Sequence, residues 1–183
     1  DPVQNAGTWS SGGNMNQARY TGTMRGIQTA ALSFGGYSGT ATLATTEEYD
    51  GTNWTAGNAM GTGRYSGGSA GLQTAALAFG GTPPVTAATE EYDGTNWTAG
   101  GDMVTARRYC AGCGTQDAAL VFGAGPTAVV KTEMYDGTSW TETTDMGIAQ
   151  KAHGGAGLQG TALSCGGESP SNTGFVTQEF NIF

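Results

Sequence analysis

The twelve-residue string Thr-Glu-Glu-Tyr-Asp-Gly-Thr-Asn-Trp-Thr-Ala-Gly occurs twice in this chain, at 46–57 and again at 89–100. A third, imperfect copy runs Thr-Glu-Met-Tyr-Asp-Gly-Thr-Ser-Trp from 132 to 140. Self-similarity at a fixed period is the signature of repeat architectures, so the period of this string decides which fold class is expected.

The tryptophans extend the repeat over the whole chain. They are spaced by 45, 43 and 43 residues, at Trp9, Trp54, Trp97 and Trp140. Six residues after each Trp comes a Met, and nineteen residues after it comes a Gln. An Ala-Leu pair and then a glycine pair follow, at 35–36, 80–81 and 166–167, with Gly123-Ala124-Gly125 in the third copy. The chain therefore contains four units of about 43 residues.

The composition predicts an all-β fold. Of the 183 residues 33 are Gly, only 12% are charged, and 37% are hydrophobic, which is a mix poor in helix formers. Short apolar segments such as 74–79 stop at a glycine pair, and Asp93-Gly94-Thr95-Asn96 has the residues of a hairpin turn. We expect short antiparallel strands and no helix.

The glycine pair, the Glu-Tyr-Asp-Gly-Thr-Asn-Trp stretch and the Met followed by Arg19, Arg64 or Arg107 together resemble kelch repeats. The resemblance covers essentially the whole chain and implies four-stranded blades of a β-propeller. The Gly/Thr-rich, nearly identical copies also resemble the kelch-like repeats of bacteriophage tail or appendage proteins.

The ends of the chain indicate how such a ring would close. The first Trp strand lacks the strands that should precede it, and the last copy stops just before its own Trp strand. We therefore expect a single domain over 1–183, with blades at about 17–60, 62–103, 105–146, and 148–183 completed by 1–15. A larger ring built from two chains, or a fragment of a longer array, stays open as an alternative.

Charge and length exclude several classes of partner. The formal charge is −8, and the 7 basic residues are scattered apart from Arg107-Arg108, so no basic stripe is available for nucleic acid. No apolar run is long enough, at about 18 residues, to insert into a membrane. The 3 cysteines are too few for a disulfide scaffold.

The inventory of catalytic groups is small. Galactose-oxidase-like members of the kelch class bind copper through two His and two Tyr, whereas this chain has only His153. Thiolates and imidazole suit zinc, but Cys110, Cys113 and His153 lack the second chelating pair of a typical zinc site. We expect no metal and no cofactor. Cys165 takes the register position of Phe34, Phe79 and Phe122, which predicts a core residue.

Three arginines, ten residues after their Trp, should begin the innermost strands. Arg19, Arg64 and Arg107 could bind a carboxylate or sulfate together, as in a sialidase-like hydrolase of anionic sugars. The same three copies carry Glu47, Glu90 and Glu133, whereas the fourth has Gln150 and Gln178, so both charges vanish together. This joint loss favours a buried Arg–Glu pair within each blade over a ligand site. The Asp-Gly turns resemble the Asp boxes of sialidases only in part, because Asp and Gly are adjacent here.

Aromatic residues suggest where a ligand would bind. The tryptophans keep a strict register, which favours packing between blades. Tyr37 lies in a variable loop, and Tyr20, Tyr65 and Tyr109 fall beside the arginine positions, so these four are candidate ligand residues. The loops after the glycine pairs, at about 37–45, 82–88, 126–131 and 168–175, vary while the blades do not, as in a rigid scaffold that carries recognition.

Together these features predict a non-enzymatic binding or structural module. The resemblance to phage proteins implies a virion tail or extracellular appendage, with a cell-surface glycan or protein and other appendage subunits as partners, and a homo-oligomer as a further option. The alternatives are a propeller hydrolase acting on anionic sugars and a purely structural assembly domain.

Overall fold

The computed structural model describes residues 7–125, 129–169 and 176–182, and these contain fifteen strands and no helix. Blade 1 comprises β1 (Thr23–Ile27), β2 (Ala30–Phe34), β3 (Thr46–Tyr49) and β4 (Trp54–Gly57). Blade 2 comprises β5 (Gly68–Leu72), β6 (Ala75–Phe79), β7 (Thr89–Tyr92) and β8 (Trp97–Ala99). Blade 3 comprises β9 (Ala111–Gly114), β10 (Ala119–Phe122), β11 (Thr132–Tyr135) and β12 (Trp140–Glu142). Blade 4 comprises β13 (Gly154–Leu158), β14 (Thr161–Cys165) and β15 (Thr177–Asn181).

Each blade is an antiparallel sheet whose strands follow one another in chain order. The inner strands β1, β5, β9 and β13 pack against each other in turn around the axis. The predicted fold class, an all-β four-bladed propeller, is confirmed. Since the described residues hold no helix, they hold none that is long and apolar enough to cross a membrane.

The hairpin turns form as the sequence predicts. Asp50 Oδ1 accepts hydrogen bonds from the backbone N–H groups of Thr52 and Asn53 at 2.8 and 2.7 Å, and Gly51 adopts a φ of +95°. Asp93 and Asp136 repeat the arrangement. These N–H donors lower the pKa of all three aspartates. The Asp-Gly pairs are therefore turn formers.

The second strand of each complete blade forms the core. Leu32, Leu77 and Leu120 are fully buried, and the phenylalanines that end these strands are 4% exposed or less. The phenylalanine of one blade packs edge-on against the tryptophan of the next, with ring centroids 4.8 Å apart for Phe34–Trp97 and 5.0 Å for Phe79–Trp140. Packing between successive blades thus supplies the core, which explains the strict Trp register.

At the mouth of the channel the blades are linked by their backbones. The N–H of Ser66 donates to Thr21 O, that of Tyr109 to Ser66 O, and that of Ala152 to Tyr109 O, at 3.0, 2.6 and 2.9 Å. All four residues have a φ between 52° and 56°, a region that is unusual for residues other than glycine. Among the described residues no bond from Thr21 N to Ala152 O continues the series, so it links three of the four pairs of neighbouring blades.

The described residues do not show the N-terminal strand completing blade 4. Part of that predicted strand, residues 1–6, lies outside the described residues. Residues 7–15 form no strand, and they lie beside blade 1, where Gly13 is close to Thr52 O. Trp9 is fully exposed, and the fourth sheet has three strands.

Cys165 corrects a second prediction, because its side chain is exposed. Its register equivalents Phe34 and Phe79 are covered by the tryptophan of the following blade. In the described residues no tryptophan covers blade 4 in this way. The burial of a residue at this position therefore depends on the tryptophan of the following blade, and the position in the repeat does not predict it.

Candidate functional site

The three arginines lie in buried ion pairs within their own blades. Arg107 pairs with Glu133, and both side chains are 0% exposed. Arg64 pairs with Glu90 in the same way, and Arg19 lies 2.8 Å from Glu47. The pairing that the joint loss of both charges predicted is therefore present in all three blades.

Backbone groups complete each pair. Arg107 Nη1 donates to the carbonyl oxygens of Gly123 and Lys131 at 3.3 and 2.8 Å. Glu133 accepts the N–H groups of Val104 and Thr105 at 2.7 and 3.2 Å. The pair thus joins the glycine loop, the third strand and the segment entering from the previous blade.

Glu47 shows the electrostatic result of this arrangement. Its burial alone would raise the pKa, but hydrogen bonds from Asn16, Arg19 and Gln17 outweigh burial and lower it. Asn16 N and Gln17 N donate to the carboxylate at 2.6 and 3.1 Å. The carboxylate is thus held in its ionised form by the chain that enters blade 1.

In blade 4 two amides replace the ion pair. Gln150 Nε2 donates to Gly166 O at 2.6 Å. This bond is equivalent to the one from Arg107 Nη1 to Gly123 O in blade 3. Gln178 Nε2 donates to Gln150 Oε1 at 2.6 Å, and Ser164 Oγ donates to the same oxygen at 2.9 Å. Gln178 also accepts the Ile148 N–H at 2.9 Å. The amides therefore reproduce the hydrogen bonds without charge.

These pairs bear on the predicted anion site. The side chains of Arg19 and Arg64 are only 4% and 5% exposed, and their terminal nitrogens bond to carbonyls and to their glutamates. Arg107 is engaged in the same manner. None of the three presents a free guanidinium group to a ligand at the opening.

The predicted tyrosines, in contrast, form a cluster at the loop face, the end of the propeller that carries the loops after the glycine pairs. Tyr20 and Tyr37 meet edge-on with ring centroids 5.4 Å apart, and Tyr37 and Tyr65 are 5.6 Å apart. Tyr20 is 54% exposed, and the other two are half-buried. We call these three residues the tyrosine cluster.

Paired backbone bonds hold the tyrosine cluster in place. Tyr20 and Tyr37 exchange N–H···O bonds of 3.1 and 3.0 Å, and Tyr65 exchanges equivalent bonds with Thr82. Thr82 thus occupies in blade 2 the position of Tyr37 in blade 1. The cluster is set by the scaffold and does not depend on a long mobile loop.

Tyr109 does not share the register of Tyr20 and Tyr65. The equivalent residue is Arg108, whose guanidinium lies 5.2 Å from the Tyr109 ring centroid. Tyr109 itself takes the positive-φ position at the channel mouth and is 36% exposed. The prediction therefore placed it on the correct face but one residue out of register.

Arg25, which the sequence did not single out, reaches from blade 1 to blades 2 and 3. Its Nη2 donates to Ser69 O in blade 2 and, at 2.9 Å, to Gly112 O in blade 3. Burial lowers the pKa of Arg25. The available signal was its register, because Ala70 and Cys113 take the same position on their inner strands.

The cysteines and the histidine form no metal centre in the part of the chain that the structure describes. Burial raises the pKa of the Cys110 and Cys113 thiols to about 11. Burial lowers the pKa of His153 to about 4, and its ring lies 5.7 Å from that of Phe122. Cys110 and Cys113 thus belong to hydrophobic core clusters, and His153 packs beside Phe122.

Two of the predicted recognition loops, 37–45 and 82–88, are described in full. Residues 126–128 and 170–175 of the other two lie outside the described residues. No protein-family model matches this sequence, and a comparison with curated proteins finds no match.

Proposed function

We propose that this propeller is a non-enzymatic recognition module that binds a surface carbohydrate or protein through the tyrosine cluster. The observation that carries the proposal is the grouping of Tyr20, Tyr37 and Tyr65 at one rim, outside the packing register. In blades 2 and 3 the tyrosines that end the third strand are buried, Tyr92 and Tyr135 at 0% exposure. Tyrosines that remain accessible on a fixed backbone have no such packing role.

The chemistry of tyrosine suits this role. A tyrosine ring offers a flat apolar face to the C–H groups of a sugar ring or to an apolar side chain, and its hydroxyl can bond to polar groups of the same ligand. Because the ring has few rotatable bonds, little conformational entropy is lost on binding. The resemblance of the repeats to kelch-like repeats of bacteriophage tail proteins supports a location on a virion tail or another extracellular appendage.

The hydrolase of anionic sugars is supported less well. It would use the three arginines to bind a carboxylate, and those arginines already neutralise Glu47, Glu90 and Glu133. A recognition role needs only the exposed rim.

The test is a glycan-array and whole-cell binding screen with Tyr37→Thr. The chain itself offers this substitution, because Thr82 makes the same paired backbone bonds in blade 2. The control is Leu72→Ser, which changes a 59% exposed residue at the opposite end of the propeller.

Saturable binding that Tyr37→Thr abolishes and Leu72→Ser leaves intact would support the proposal. Equal binding by all three proteins would place recognition elsewhere and contradict it. If the folded wild-type chain bound no surface, the structural assembly role would take its place.

A further inference from the structure

The three interfaces between successive blades share one pair of hydrogen bonds. A glutamine at the turn between the first two strands reaches back to two carbonyls of the preceding blade. Gln73 Nε2 donates to Ala31 O and Tyr49 O at 3.0 and 2.9 Å. The equivalent glutamines, Gln116 and Gln159, repeat both bonds at the next two interfaces.

At the first two of these interfaces a tyrosine and a tryptophan make further polar contacts with the preceding blade. The hydroxyl of Tyr92 donates a hydrogen bond to the Glu48 carboxylate, and the hydroxyl of Tyr135 donates one to Glu91. Trp97 Nε1 donates to Thr46 Oγ1 at 2.9 Å, and Trp140 Nε1 to Thr89 Oγ1 at the same distance. An interface is therefore specified by a Gln, Tyr and Trp on one blade and by carbonyls, a Glu and a Thr on the other.

Both halves of a fourth interface are present at the open seam between blades 4 and 1, and each includes exposed residues. The blade 1 half consists of Gln28, Tyr49 and Trp54, and no hydrogen bond to another described residue is recorded for the exposed Gln28 side chain. The blade 4 half consists of Thr177, Glu179 and the carbonyls of Ala162 and Phe180. Thr177 and Glu179 are exposed, whereas Thr46 and Thr89 are buried.

The hydroxyl–carboxylate contact shows that these two halves are matched to each other. Between blades 3 and 4 both of its members are replaced by apolar side chains, Met134 and Phe180, which pack against the same hydrophobic cluster. The tyrosine and the glutamate thus disappear as a pair. Tyr49 and Glu179 are nevertheless both retained, although each stands alone at one end of the arc.

The N-terminal segment fits the same scheme. A methyl group added at Gly12 would lie 3.0 Å from Tyr49 Oη, and one added at Gly57 would lie 3.3 Å from Tyr92 Oη. Gly12 therefore contacts blade 1 in the same way as Gly57, the last residue of β4, contacts blade 2. Docking the blade 1 half on a blade 4 half would bring the Trp9 segment to the edge of β15, where the fourth strand is missing.

A cavity marks the place for Trp9. It has a volume of about 410 Å³ and is lined by Phe122, Thr132, Ala162 and Phe180. Thr132 Oγ1 is buried and without a hydrogen-bond partner, whereas its equivalents Thr46 and Thr89 each accept a tryptophan N–H. The cavity thus offers apolar side chains and a hydrogen-bond acceptor for an indole group.

We propose that blade 4 of one chain binds blade 1 of a second copy, head to tail, and that the Trp9 segment of the second copy completes blade 4 of the first. The occupant is a second copy because within one chain the Trp9 segment lies against blade 1, beside Tyr49 and Thr52, and away from the cavity between blades 3 and 4. Such a head-to-tail contact builds a ring where the rotation closes and a filament where it does not.

The test is a complementation experiment monitored by light scattering after gel filtration. Gln28→Glu places a carboxylate against the two carbonyls, and Glu179→Lys removes the acceptor for Tyr49. Both residues are exposed, so both variants should fold. Wild type should assemble in a concentration-dependent way, each variant alone should be monomeric, and their mixture should give a one-to-one dimer through the single intact interface.

A third variant tests the pairing itself. Glu179→Met should weaken assembly by about tenfold, the loss of one hydrogen bond to a charged group. Adding Tyr49→Phe should restore it, because the pair then matches Met134 and Phe180. The proposal would be overturned if the wild-type chain stayed monomeric at every concentration, the result expected if the ring closes on its own Trp9 segment. It would also be overturned if the variants assembled like wild type.

Discussion

Blades 3 and 4 occupy equivalent places in the propeller but solve the same problem with different chemistry. In blade 3 a guanidinium and a carboxylate, both 0% exposed, link the glycine loop to the third strand. In blade 4 Gln150 and Gln178 make the corresponding hydrogen bonds with neutral groups, and Ser164 adds one more. The geometry can be kept without charge, but only if both partners change together, because a single buried charge without its counter-ion is strongly destabilising.

The largest effect is expected from breaking the pair in blade 3. Glu133→Gln should lower the free energy of unfolding by about 3 kcal/mol, because it leaves the buried Arg107 charge without a counter-ion. Urea denaturation followed by tryptophan fluorescence measures the change. The matched control is Glu142→Gln, which alters the exposed Lys131–Glu142 pair and should change stability little. Equal effects of the two substitutions would mean that burial of the pair is energetically unimportant.

The second prediction converts blade 2 to the chemistry of blade 4. Arg64→Gln alone should be strongly destabilising, and Glu90→Gln should recover most of the loss, since the charges then vanish together. Ala78→Ser supplies the hydroxyl that Ser164 contributes in blade 4, and should improve the recovery by about 1 kcal/mol. If the double variant lost as much free energy of unfolding as the two single variants together, the ion-pair explanation would be wrong.

The third prediction concerns the loss of stability at blade 4 as the pH falls. Burial keeps His153 neutral in the folded chain down to a pKa of about 4, whereas the unfolded chain takes up the proton near 6.5. The unfolded state therefore binds more protons in this window, and stability should fall as the pH drops from about 6.5 to about 4. His153→Gly introduces the residue that blades 1 and 2 carry at this position. It should make the thermal unfolding temperature depend less on pH over that window. An unchanged pH profile would show that His153 is protonated without cost.

The smallest effect is expected for Glu47, at lower pH. Its pKa is lowered by the Asn16, Arg19 and Gln17 donors, so its contribution is present above the ordinary value of 4.5 and is lost as the pH falls below it. Arg19→Gln combined with Glu47→Gln should reduce the acid sensitivity below pH 4.5 and leave the window of His153 unchanged. The three turn aspartates provide a constant background in both proteins. A steeper acid transition in the double variant would contradict the assignment.

Most of the fold was predictable because the repeats provide their own alignment. Trp and Gln at fixed offsets indicate the blades, and the joint replacement of Arg and Glu in the fourth copy indicates the ion pairs. The same method was less useful where one blade depends on another. Cys165 shares the register of Phe34, yet its exposure is decided by what lies on blade 4.

The candidate site was predictable in part. Tyr37 stood out because it lies in a variable loop, and Tyr20 and Tyr65 because they fall beside the arginine positions. The structure brings these three together. Tyr109 was misaligned by one residue because Arg107-Arg108 offers two arginines for one position. Arg25 escaped notice because its reach across the channel to Gly112 depends on the curvature of the whole ring, which local sequence does not encode.

The backbone bonds from Ser66 to Thr21, Tyr109 to Ser66 and Ala152 to Tyr109, which leave the pair of blades 4 and 1 unlinked, have a kinetic consequence. Apart from Arg25, each blade is held by its immediate neighbours, so the four blades behave as a short linear array in which local opening costs most in the middle. Backbone amides of β6 and β10 should exchange with solvent slowest, and those of β14 and β15 fastest. Unfolding would then begin at blade 4 and move inward one blade at a time.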